Sequence, residues 1–279
     1  MDIKGWRYYN HAAIPLTPPH EEPNLLPLED NSIWNIEGRT PLLARWTREF
    51  DCGYETNWWY VIKDTPFDIS SLKAKRRYEI NKGIKNFEVC EINTSDYKHE
   101  LYHVVESAWA IYPEKYRPKL DYDAFLKDVD NWNYYKVYAA FQKETQKLCG
   151  YAILKRKDLY IDFCVLKSIP EYEHFGVNAA MCYQIVMDHN SFFEDGGYIC
   201  DGARNIVHET DFQNYLIKYF EFRRAYCHLE LAFNPTVKWL VKLSYPFRGV
   251  IRKLGWCKWA SQLASVLNME EIRREGTVQ

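Results

Sequence analysis

No stretch of about 18 apolar residues occurs in the 279-residue chain, which removes a membrane-crossing helix from consideration. The opening residues, MDIKGWRYYNHAAIP, lack the basic-then-apolar layout of a signal peptide, so the expected location is the cytoplasm. A charge surplus is missing too. The 36 Lys+Arg oppose 38 Asp+Glu, and a formal net charge of −2 announces neither a nucleic-acid nor a membrane partner, although local clusters still can. The eight cysteines (52, 90, 149, 164, 182, 200, 227, 257) form no C-x-x-C pair, which excludes the usual zinc and redox spacings. They are expected to be reduced, with Cys90 in FEVCEI and Cys164 in YIDFCVL acting as small hydrophobes in strands. No Gly-rich phosphate loop, G-x-S-x-G elbow or H-E-x-x-H pair is present, and no metal is expected.

What is present is an ordinary globular balance, 47% apolar and 27% charged, in a chain long enough to bury a core without staples. The excess is aromatic: 16%, with 10 Trp and 22 Tyr. Trp6, Trp34, Trp46, Trp58 and Trp59 fall early and Trp239, Trp256 and Trp259 late, with only Trp109 and Trp132 between. That asymmetry divides the chain into an aromatic extension over 1–85, a regular domain over 86–232 and a basic amphipathic tail over 233–279.

The extension reads as strands and long loops, with Trp58-Trp59-Tyr60-Val61-Ile62 the clearest strand before a turn at Asp64-Thr65-Pro66. It closes on a helix over 71–83 with a Ser cap, a Gly stop and a basic face including Arg76 and Arg77. That face is either simply solvated or turned to an anion. From residue 86 the periodicities give strand 87–92, helices near 101–108 and 121–129, and strands 136–141, 150–155 and 159–166. A helix over 173–189, a strand 198–200, a helix over 210–220 and a strand 225–231 complete the run. This order predicts an α+β fold: a mixed, mostly antiparallel central sheet flanked by helices, with one parallel step from 159–166 to 198–200.

The same order resembles the GNAT acyltransferase superfamily, and two stretches resemble its Fem-type and polysaccharide-cluster branch. Ser71 to Gly83 is similar to an S-x-K-x-R-x-x-I-x-K helix. Tyr198-Ile199-Cys200-Asp201-Gly202, followed by Tyr215 to Tyr226, is similar to a strand, an Asp-Gly turn and a lysine-then-glycine-phenylalanine-arginine segment, with Glu221 in place of the glycine. The resemblance implies transfer of an acyl group from acyl-CoA, or of an aminoacyl group from aminoacyl-tRNA, to an amine or hydroxyl. The expected acceptor is an amine of a sugar or peptide precursor in bacterial envelope or surface-polysaccharide synthesis. It places the donor in a splay between the strands at 159–166 and 198–200, against Cys164, Val165, Leu166, Gly176 and Asn178. The usual pyrophosphate signature is altered here, because Glu171 and Glu173 stand where basic and amide residues are expected, and carboxylates oppose a phosphate.

Acyl transfer needs a proton acceptor, and Asp201, after a buried-looking strand, takes that role in this reading, although Asp-Gly is also a common turn. Glu55 is a second candidate carboxylate. His11, His20, Asn57, Trp58 and Trp59, with Arg76, Arg77 and Arg204, are candidates for binding the acceptor, since aromatic faces and amides on loops suit a sugar. The plain alternative is that the Trp residues pack the extension.

Residues 236–260 hold Lys238, Lys242, Arg248, Arg252, Lys253 and Lys258 and no acid, interleaved with Trp239, Leu240, Leu243, Phe247, Val250, Trp256 and Trp259. This is either an anionic membrane contact, which would suit a lipid-linked acceptor, or a helix pair packed on the core with snorkelling stems. The rival functions are an aminoacyl-tRNA-dependent transferase and a non-catalytic glycan-binding protein on a degenerate fold.

Overall fold

The computed structural model describes residues 5–114, 117–206, 211–254 and 258–276; His208, Trp256 and Cys257 lie outside them. The first elements are β1 (Trp6–Tyr9), β2 (Ala12–Pro15), α1 (Leu26–Glu29), β3 (Leu43–Arg48), β4 (Trp58–Lys63), α2 (Ala74–Asn86) and β5 (Phe87–Glu91). Next come α3 (Lys98–Ala110), α4 (Tyr122–Val129), β6 (Lys136–Gln142), β7 (Leu148–Lys157), β8 (Tyr160–Ser168), α5 (Val177–Asp188) and α6 (Asn190–Glu194). The chain continues with β9 (Tyr198–Ala203), α7 (Asp211–Phe220), β10 (Arg223–Phe233), α8 (Pro235–Ser244), α9 (Arg248–Lys253) and α10 (Lys258–Glu275). These elements form two compact units, one from Met1–Tyr60, Ala203–Thr210 and Arg224–Gln279, the other from Val61–Gly202 and Asp211–Arg223.

In the second unit β5 to β9 lie side by side in chain order. Every pair is antiparallel except β8 and β9, which run parallel with Tyr160 opposite Tyr198 and Asp162 opposite Cys200. The expected fold class and its one parallel step are therefore present. Alternation along β6 explains the two helical layers: Val137 and Ala139 pack with Leu101, Val104 and Val129 of α3 and α4, whereas Ala140 packs with Val177, Ala180 and Met181 of α5.

The helix expected over 71–83 differs at both ends. Asp68, not a serine, caps a short turn over Ile69–Ser71 by accepting from Ser70 N, and α2 starts only at Ala74. Gly83 does not stop the helix, which continues to Asn86. A Cβ on Gly83 would lie 2.4 Å from Gly176 O and 2.9 Å from Ala180 N, so the missing side chain lets α2 lie against the start of α5. Cys90 and Cys164 also differ from expectation, since both are exposed. Cys90 is on β5, the strand at the end of its row, and Cys164 is lifted out by a bulge described below.

In the first unit β1 and β2 form a hairpin, β2 runs parallel to β3, and β3 pairs antiparallel with β10 from Arg48–His228 to Leu43–Phe233. Trp6 and Trp58, each 3% exposed, anchor two clusters, Trp6 with Ile33, Ile36 and Ala44, and Trp58 with Leu43, Cys227, Leu229 and Met269 of α10. Trp46 meets Trp6 edge-on at 6.2 Å. Much of the early aromatic excess is thus core packing.

Candidate functional site

The pairing of β8 with β9 ends at Asp162 and Cys200, although β8 continues to Ser168. On its other side β8 stays bonded to β7, but the register jumps: Leu154 faces Phe163 and Ile153 faces Val165, leaving Cys164 as an inserted residue. The bulge and the lost pairing open a cleft of about 590 Å³, walled by Phe163 to Ser168 and by Asn178 of α5, Asp201 of β9 and Phe212 of α7. Four of the residues expected to hold the donor, Cys164, Val165, Leu166 and Asn178, thereby converge with Asp201 in one unit.

The electrostatics of the cleft are unusual. Burial, opposed by a hydrogen bond from Gln213 and assisted by the nearby Asp162 carboxylate, pushes Asp201 up to about 7. Asn178 Oδ1 is buried with no hydrogen-bond partner among the described residues. A buried orphan acceptor is costly in a closed site, whereas a ligand N–H or O–H would satisfy it. Lys167 lines the same space and is held below its usual range by desolvation. Of the two glutamates preceding α5, Glu171 is 3.7 Å from Lys147, while Glu173 lines the cleft and accepts from Ser168 Oγ at 3.2 Å. Gly176, in the left-handed region at φ +91°, is the N-cap of α5 and is pressed against Gly83.

The remaining candidates lie elsewhere in the chain. Glu55 and Asn57 line a polar pocket of about 320 Å³ with Tyr54, Thr56, His228, Glu275 and Gly276, all in the first unit. There Asn57 Nδ2 donates to Glu275 Oε2 at 2.6 Å, Tyr226 OH donates to Glu55, and Tyr54 OH is 2.8 Å from His228 Nε2. Trp59 is flanked by the guanidinium groups of Arg204 at 4.2 Å and Arg224 at 4.5 Å, and Arg204 also donates to Asn57 O. His11 sits on the β1–β2 turn at φ +63° against Tyr8 OH, and His20 lies beside Glu21 and Phe50. Arg77 donates to Ser70 O and Leu72 O and so staples the turn before α2, next to half-buried Arg76.

Asp162 and Gln213, which act on Asp201, and Lys167 and Phe212, which line the cleft, are residues that the sequence does not single out. An acid inside the apolar run YIDFCVL is a usable signal for Asp162; the other three carry no local mark. His228, an isolated histidine in the sequence, meets Tyr54 across a separation of 174 residues that no spacing rule covers.

No protein-family model matches the chain, and no curated protein sequence does. Solved structures do resemble it. The C-terminal domain of an Agrobacterium fabrum protein described as a lysylphosphatidylglycerol synthetase is 12% identical, covering 85% of this chain and 82% of that one at a TM-score of 0.51. A conserved protein of unknown function from Bacteroides thetaiotaomicron is 11% identical over 80% and 78% at 0.50, and L-PGS from Bacillus licheniformis is 11% identical over 82% and 79% at 0.49. Likeness at such identities concerns the fold. The open, mostly antiparallel sheet, its flanking helices and the splayed parallel pair give the second unit a GNAT-like fold.

Proposed function

We propose that the chain is an acyl- or aminoacyltransferase, with the cleft beside β8 as the donor site and Asp201 as the proton acceptor. The observation that carries this reading is the convergence of the Asp201 carboxyl, raised to about 7, and the unpartnered, buried Asn178 Oδ1 at an unpaired strand edge. The amine nitrogen attacks the acyl carbonyl carbon and forms the new C–N bond, and its proton passes to Asp201 while the bond to the departing sulfur or ribose oxygen breaks. A carboxylate near 7 is matched to taking that proton and handing it to the leaving group at neutral pH. Main-chain N–H groups along β8 suit the amides of an extended donor, and Asn178 can accept from it.

Glu173 in the cleft wall suits the ammonium of an aminoacyl donor, which it attracts, while Lys167 in the same wall offsets its repulsion of phosphate. The Agrobacterium relative's description, which names a lysyl group and a phospholipid, is in keeping with that choice. The acceptor class remains an amine of a sugar or peptide precursor of the cell envelope.

Thermal-shift measurements with CoA, acetyl-CoA, longer acyl-CoAs and aminoacyl-tRNA test the donor site, since a bound donor raises the melting temperature by mass action. Stabilisation by one donor class, weakened in Asn178→Ala, is expected. Asp201→Asn should retain that shift and lose about 10²–10⁴ in turnover. A fully active Asp201→Asn, or a shift only with glycans, overturns the reading.

A further inference from the structure

Helix α8, the turn Tyr245–Phe247 and helix α9 follow one another with almost no break and carry two stripes. The inner stripe holds Val241, 3% exposed, and half-buried Arg248, which donates to Glu271 at 2.6 Å and lies over the Tyr245 ring. The outer stripe holds Trp239, Leu243, Phe247 and Val250, between 62% and 69% exposed, with Leu240 at its edge. Trp239 and Leu243 are four apart on α8, and Phe247 and Val250 continue the exposed apolar series through the turn and onto α9. Trp259 at the start of α10 is also 62% exposed. The packing alternative raised by the sequence is thus realised by the inner stripe and leaves the outer one uncovered.

Soluble proteins seldom leave contiguous apolar surface of this kind in water without a use for it. Its surroundings specify the use. Lys238, Lys242 and Lys253 are exposed and in no ion pair among the described residues, whereas Arg252 is neutralised by Glu271. Lys242 Nζ lies 5.2 Å from the Trp239 ring, so cation and indole share one edge of the patch.

We propose that the outer face of α8 and α9 docks on an anionic lipid surface. Trp239, Leu243, Phe247 and Val250 enter the boundary between head groups and acyl chains, and the three lysines meet lipid phosphates. A second copy of the chain is the poorer occupant, because joining two such faces brings lysines against lysines. The inference stands on this surface alone and is independent of the chemistry assigned to the cleft.

The full chain is sedimented with vesicles of phosphatidylcholine mixed with phosphatidylserine and with vesicles of phosphatidylcholine alone. Binding is expected to the mixed vesicles, with a fall as salt shortens the Debye length to about 3 Å near 1 M. The variant Trp239→Ala/Phe247→Ala should lose about tenfold or more in partitioning while keeping the wild-type melting temperature, since both rings are exposed. Lys238→Glu/Lys242→Glu should abolish the preference for anionic lipid. Absence of binding to mixed vesicles at low salt overturns the proposal, as does wild-type binding by the Trp239/Phe247 variant. A concentration-dependent dimer that Trp239→Ala dissolves would assign the face to a second copy instead.

Discussion

Glu221 adopts the left-handed backbone conformation, φ +57°, and from it holds its carboxylate 4.0 Å from Nζ of the fully buried Lys63. This is the position where the family-like segment calls for glycine, and the torsion explains why, since a residue with a Cβ is held there at a cost of about 1–2 kcal/mol. The side chain supplies what glycine cannot. Lys63 donates to Thr65 Oγ1 at 2.8 Å and lies 5.9 Å from the Phe67 and Phe193 ring centroids, and burial lowers its pKa against the pull of Glu221 and Asp64. Ser71 Oγ donates to the same Glu221 carboxylate.

Replacing Glu221 by glycine therefore sets relaxed backbone against a buried cation without its carboxylate. The cation should dominate, and Glu221→Gly is expected to destabilise by about 1–3 kcal/mol in urea denaturation. In a Lys63→Met background the same change should become neutral or stabilising by about 0.5–1 kcal/mol. Additive effects in the double-mutant cycle would show that the two residues do not interact.

Asp201 links stability to pH. Its folded pKa of about 7 lies above the unfolded value, so its contribution is full below about pH 4 and is lost as pH rises through 7. Asp201→Asn should match wild type near pH 4 and exceed its stability by on the order of 1–3 kcal/mol near pH 8. Thermal unfolding across that range measures the difference, and parallel curves would place Asp201 in water rather than in a desolvated cleft.

Gly83→Ala ought to help an isolated helix by about 1 kcal/mol. Here the new methyl meets backbone atoms of α5 that cannot step aside, so a net loss of about 2–4 kcal/mol is expected instead. A stabilised variant would mean that α2 and α5 do not approach this closely.

Cys164 offers a chemical probe of the cleft. Desolvation by the surrounding walls, and next the Asp162 carboxylate, push its thiol up to about 12, so little thiolate exists at neutral pH although the side chain can be reached. Alkylation of this residue, followed by mass spectrometry, should be slow at pH 7, accelerate with alkali and be blocked by a bound donor. Fast modification at neutral pH, or no protection by any donor, contradicts the assigned surroundings.

The strands of the second unit are legible as short apolar runs between turn signals, with both faces of β6 and β7 covered so that Val137 to Ala140 and Leu148 to Leu154 are buried without alternation. The parallel step follows from the long helix between 159–166 and 198–200. The wall of the cleft is partly legible through the family resemblance, which points to Cys164, Val165, Leu166, Gly176 and Asn178 for a donor and to Asp201 for a proton acceptor; all but Gly176 line the cleft. What stays hidden depends on meetings between distant residues. Gly83 reads as a stop until Gly176 is seen against it, and an inserted residue such as Cys164 leaves no compositional trace. Lys63 looks like the polar end of a strand until Phe67, Phe193 and Glu221 close around it.

The unpaired edge of β8 has a further consequence for how such a site can change. Peptide N–H and C=O groups belong to every residue except proline, which lacks the N–H, so a ligand bonded there would be held by atoms that substitution leaves in place. Under the proposed donor role, side chains at 163–168 could then be exchanged to fit another ligand while the hold on its spine persists. A scaffold of this kind can drift far in sequence and acquire new substrates in small steps, because anchoring and selectivity are carried by different atoms of the same strand.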